Sequence, residues 1–86
     1  MYYVYVIQSK NDKQFYTGFA RDLQNRLREH NAGRVSSTKE RVPFELIYYE
    51  GCLNEQDALA REKYLKSGMG KRYLKNRLKR FLSLTG

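Results

Sequence analysis

Five side chains of this chain have the types needed for phosphoryl-transfer chemistry: Tyr5, Tyr16, Arg26, His30 and Glu62. A guanidinium can hold a non-bridging phosphate oxygen, a carboxylate can hold a cation, and a phenol or imidazole can take a proton. Their positions on the expected elements add weight. At about 100° per residue, Leu23 and Leu27 define the packing face of one helix, and Arg26 and His30 fall within or beside the same arc. In a second helix, Glu62 lies between Ala58 and Leu65 on one side and Leu59 on the other. Unpaired burial of such groups is costly, so they must be paired, bind a metal, or floor a cleft open to solvent. The bland alternative pairs Glu62 with Arg26 inside the domain, or with Lys66 along its own helix.

The elements that must position these groups are readable from the residue pattern. Residues 2 to 8 are aromatic and β-branched almost throughout and predict a strand; 9 to 13 predict a polar turn, and 14 to 19 a second strand, giving a β-hairpin. Tyr3, Tyr5 and Ile7 alternate onto one face, Tyr16 and Gly18 share a face of the second strand, and the hairpin brings Tyr5 and Tyr16 into neighbouring strands. Gly18 inside a strand suggests a close backbone approach or a bulge. Asp22 predicts the N-cap of a helix to about Ala32, ended by Gly33. A polar loop over 34 to 43 ends in Pro43, and a strand follows over 44 to 50. Asn54 starts a helix over Glu55 to about Ser67, Gly68 and Gly70 break the chain, and a third helix runs from Lys71 to about Leu82. The expectation is one α+β domain over residues 1–86, an antiparallel three-stranded sheet packed with about three helices.

Charge bounds the partner. The 17 Lys and Arg against 9 Asp and Glu leave a net charge of +8 and a pI near 9.8, which favours an anionic ligand. Most of the field comes from residues 54 to 86, where Lys71, Arg72, Lys75, Arg77, Lys79 and Arg80 occur without an acidic neighbour between them. This is the density of a nucleic-acid-binding surface. The single cysteine, Cys52, excludes an internal disulfide and a cysteine-built zinc site, and reads as a small buried hydrophobe. No apolar run has the length of a membrane span and no signal peptide is legible, so the cytoplasm is the expected compartment.

With those residues in place, the chain resembles the GIY-YIG nuclease family. The first motif word reads Tyr3-Val4-Tyr5 and the second Tyr16-Thr17-Gly18; the segment from Asp22 to Asn31 is similar to the family's first helix, with its arginine at Arg26, and Ala60-Arg61-Glu62-Lys63 to the helix presenting a metal-binding glutamate. The resemblance implies a metal-dependent endonuclease in which Glu62 holds one Mg2+ or Mn2+ ion, water and phosphate oxygens completing its shell. It also implies Tyr5 as general base, its pKa lowered by Arg26 and the metal, Tyr16 positioning water or phosphate, Arg26 on the scissile phosphate, and His30 assisting or replacing Tyr5 in proton handling. Tyr3 and Val4 stand where the first motif has Gly and Ile, and Phe19 stands where some repair members carry a lysine. Asn76 matches a family asparagine in order, yet lies opposite Leu74, Leu78 and Phe81 on the wheel.

The function expected on this basis is hydrolysis of DNA phosphodiester bonds, with branched or structured DNA as substrate, a role in repair or recombination by analogy, and a protein partner for targeting. The competing classes are a nucleic-acid-binding module that keeps the fold without cutting, and an RNA-structural protein that needs only the basic helix.

Overall fold

The computed structural model describes residues 1–85. The elements are β1 (Tyr2–Ser9), β2 (Phe15–Ala20), α1 (Leu23–Asn31), a short 3-10 turn (Lys39–Arg41), β3 (Phe44–Cys52), α2 (Glu55–Lys66), α3 (Gly68–Arg77) and α4 (Lys79–Thr85). The three strands form one antiparallel sheet in the order β2-β1-β3, the α+β architecture that the residue pattern predicts.

β1 is the central strand, and it is apolar on both faces because both faces are covered. Val4 and Val6 join Ala58, Leu65 and Leu74 in the core beneath α2 and α3. Tyr5 and Ile7 point the other way, into a second core with Ala20 and Phe44 that Leu23 and Leu27 of α1 cover. Each residue of β1 from Val4 to Ser9 is buried.

The helix ends follow local chemistry. The Asp22 carboxylate accepts from the Asn25 amide at 3.0 Å to open α1, and Gly33, with φ +74°, takes the left-handed turn after it. Asn31 then fixes the start of β3 from both sides: its amide donates to the Phe44 carbonyl at 3.1 Å and its oxygen accepts from the Phe44 N–H at 2.7 Å. On the opposite layer, Arg61 of α2 makes a two-pronged pair with Glu50 of β3, at 3.0 and 2.9 Å, and lies over the rings of Tyr64 and Tyr73.

Three expectations need correction. Gly68 and Gly70 do not break the chain: Ser67 caps a helix that starts at Gly68, its hydroxyl accepting from the Gly70 amide at 3.1 Å. Gly70 is buried against the end of α2, where any Cβ would collide with Tyr64 O and Leu65 Cα. The glycine serves close helix packing. The expected single helix from Lys71 to Leu82 is two helices, because Leu78 leaves helical geometry at φ −105° and ψ 17°; Phe81 and Leu82 beyond it stay half-buried. The third strand also runs two residues further than Glu50, so that Cys52 pairs with Tyr2, and Cys52 is half-buried.

Candidate active site

β1 and β2 pair so that Tyr5 lies opposite Gly18 and Tyr16 opposite Ile7. The Tyr5 ring therefore crosses directly over Gly18. A Cβ at position 18 would collide with the Tyr5 hydroxyl and come within 2.9 Å of Cε1, which is the close approach that a glycine within a strand suggests.

The Tyr5 hydroxyl meets His30 Nε2 at 2.8 Å, and His30 Nδ1 meets Thr38 Oγ1 at 2.8 Å. Thr38 Oγ1 in turn donates to the Val35 carbonyl at 3.4 Å. The contact to Val35 is compatible with Thr38 accepting from Nδ1–H, the tautomer in which Nε2 accepts from the Tyr5 O–H. His30 and Thr38 are fully buried. The ring centroids of Tyr16 and His30 are 5.0 Å apart, and those of Tyr5 and Tyr16 6.5 Å.

Electrostatics sharpen the picture. Burial pushes the His30 pKa down to about 4, with the charge of Arg26 adding to the effect, so the imidazole is neutral near pH 7. Burial raises the Tyr5 pKa above its ordinary value, against the lowering pull of Arg26. Against Arg26 by itself, desolvation outweighs the neighbouring cation. Tyr16, Arg26 and Glu62 all act on the Tyr5 charge, so the four share one electrostatic neighbourhood.

Arg26 and Glu62 do not pair with each other. Arg26 pairs with Glu29 at 3.1 Å and is about one-third exposed. Glu62 pairs with Lys66 at 3.2 Å, its side chain 20% exposed against 54% for the lysine. The apolar arc of α2 narrows to Ala58 and Leu65, with Leu59 exposed. Beside Arg26, an open depression of about 350 Å³ is lined by Phe19, Arg21, Asn25 and Glu29 among others; Tyr5 and Glu62 are not among its walls.

For a divalent ion, the donor chemistry on offer is one carboxylate. Among the described residues no three His, Cys, Asp or Glu side chains cluster as a ligand set. A single hard oxygen donor fits a magnesium-like ion that keeps most of its waters, and does not fit a structural zinc.

A family model described as the GIY-YIG catalytic domain matches residues 1–77. The chain belongs to the GIY-YIG family. The match spans β1 to the end of α3, with Tyr5, Tyr16, Arg26, His30 and Glu62 inside it, and GIY-YIG is a nuclease family. Among curated relatives, the chain is similar to a UPF0213 protein of Haloquadratum walsbyi, 39% identical over 67 residues, covering 77% of this chain and 74% of the relative. A UPF0213 protein of Clostridium perfringens is 39% identical over 67 residues, with 77% and 71% covered. One from Staphylococcus saprophyticus is 36% identical over 75 residues, with 86% and 90% covered. No solved structure matches.

The basic residues that the sequence groups together are distributed around the GIY-YIG fold. Lys71, Lys75 and Lys79 line one hollow, Arg72 and Asn76 line another with Met69 and Tyr73, and Arg77 and Arg80 are exposed. Neither hollow includes Tyr5, Arg26 or Glu62. Thr38 escaped the sequence reading. It sits in a polar run, Ser36-Ser37-Thr38, and nothing in that run distinguishes the buried hydroxyl from its neighbours. No helix among the described residues is long and apolar enough to cross a membrane.

Proposed function

We propose that this chain, acting as one domain, is a metal-dependent endonuclease that hydrolyses DNA phosphodiester bonds in the cytoplasm. The observation that carries the reading is the buried Tyr5-His30-Thr38 hydrogen-bond chain, within reach of the charges of Arg26 and Glu62.

Arg26 binds a non-bridging oxygen of the scissile phosphate and meets the charge that builds on it in the transition state. That contact also tunes the base. The Arg26 cation lowers the pKa of His30; a phosphate bound to the guanidinium offsets its charge and makes Nε2 a stronger proton acceptor. As a water oxygen forms its bond to phosphorus, its proton passes to the Tyr5 oxygen while the Tyr5 proton passes to His30 Nε2. The bond to the departing oxygen breaks, and solvent protonates that oxygen. Tyr16 packs against His30 and orients the water. Glu62 would hold a hydrated Mg2+ or Mn2+, which supplies Lewis-acid stabilisation of phosphate charge; Lys66 gives up its ion pair to make room. A protein partner that delivers the substrate, and a role in repair or recombination, complete the proposal.

Incubation with flapped, branched and nicked DNA in Mg2+ or Mn2+ tests it. Wild type should cut, and Glu62→Ala should cut about a hundredfold more slowly or worse while keeping DNA affinity. Identical behaviour of the two proteins, independent of metal, would leave the chain a binding module.

A further inference from the structure

The hollow lined by Lys71, Lys75 and Lys79 has a volume of about 660 Å³, and the hairpin closes it from the other side with Lys13 and Phe15. Lys71 and Lys75 are one helical turn apart on α3. Lys79, a further four residues on and past the interruption at Leu78, lies on the same wall with Leu82. No aspartate or glutamate lines the hollow, and among the described residues none of the four lysines takes part in an ion pair. Four ammonium groups around one concavity repel each other until an anion with several charges enters.

We infer that this hollow is a seat for an unpaired nucleic-acid strand, distinct from the Tyr5 centre. The inference rests on the reading of nucleic acid as substrate. The volume is on the order of one or two nucleotides. The lining joins cations for the phosphates to an aromatic ring and a leucine for the bases, the combination that binds single strands without reading sequence. Topology links the seat to the cutting centre. β2 is an edge strand; Phe15 packs toward the α2 and α3 core, and its neighbour Tyr16 packs on the other face toward Tyr5. A strand leaving the seat round that edge arrives at Tyr16, so the seat sets the distance from an unpaired end to the bond that is cut.

The test is fluorescence anisotropy of the full chain with a labelled oligothymidine and with a duplex of equal length, in chelator, across a salt series. Wild type should prefer the single strand. Lys75→Ala with Lys79→Ala should weaken that binding about tenfold and reduce the salt slope by about 1.4, at roughly 0.7 per phosphate contact. Phe15→Leu should weaken single-strand binding several-fold and leave duplex binding unchanged. Equal affinity for the duplex would overturn the inference, as would an equal loss in Arg77→Ala with Arg80→Ala, or no loss in the lysine pair. Single-strand binding lost from the lysine pair, in a chain that cuts nothing, would support the seat and refute only the nuclease reading.

Discussion

His30 Nδ1 lies 2.8 Å from Thr38 Oγ1, and both side chains are wholly shielded from solvent. Nε2 faces Tyr5, and in the tautomer that accepts the Tyr5 proton there, Nδ1–H donates to Thr38. Replacing Thr38 with Val removes the acceptor for Nδ1–H and leaves a buried donor unpaired, at a cost of about 1–3 kcal/mol. Cleavage by Thr38→Val should fall about tenfold in kcat with KM little changed, and Thr38→Ser should restore it. Single-turnover rates and the imidazole nitrogen shifts of both variants check this.

His30 also makes stability depend on pH. Its pKa is about 4 in the fold against 6.5 ordinarily, so between those values the unfolded chain binds more protons than the folded one. Stability is therefore complete above about pH 6.5 and declines as pH falls toward 4. The protein should be about 2 kcal/mol less stable at pH 5 than at pH 7 from this group alone. Urea unfolding at the two pH values measures the difference, and His30→Asn should flatten it.

Gly18→Ala places a methyl group against the Tyr5 ring. The ring cannot retreat, because its hydroxyl is held by His30. A loss of about 1–3 kcal/mol is expected from the overpacking, together with reduced cleavage. A chain as stable and active as wild type in urea titration and cutting assays would contradict the close packing.

Glu62→Gln should separate chemistry from folding. The partner, Lys66, is mostly exposed, and such an i,i+4 pair contributes only about 0.3–0.5 kcal/mol. The melting temperature should therefore stay within a degree or two of wild type while metal-dependent cutting is lost. Lys66→Ala should leave cutting intact, with a lower metal concentration needed for half-maximal rate.

The sheet, the first two helices and their capping residues Asp22 and Asn54 were legible because each rests on local chemistry: alternation, apolar spacing and a side-chain oxygen before the first turn. His30 was legible as an inward-facing polar residue for the same reason. What sequence could not reveal depends on tertiary approach. Gly70 looks like a helix breaker until α2 is seen pressed against it, and Leu78 carries no breaking residue although the helix ends there. Of the two pairings open to Glu62, the one along its own helix with Lys66 is the one formed, and Arg26 pairs with Glu29 rather than with Glu62. Thr38 gains its role only because the loop after α1 folds back over the imidazole.

The central place of β1 has a kinetic corollary. β1, made before the other two strands of the sheet, acquires one neighbour promptly, through a short hairpin, but its other neighbour begins only at Phe44. Until that segment emerges from the ribosome, one long edge of β1 and its apolar side chains lie bare. Assembly must wait for a distant partner, which slows it relative to helical chains of like size and leaves the nascent hairpin open to aggregation or capture by chaperones.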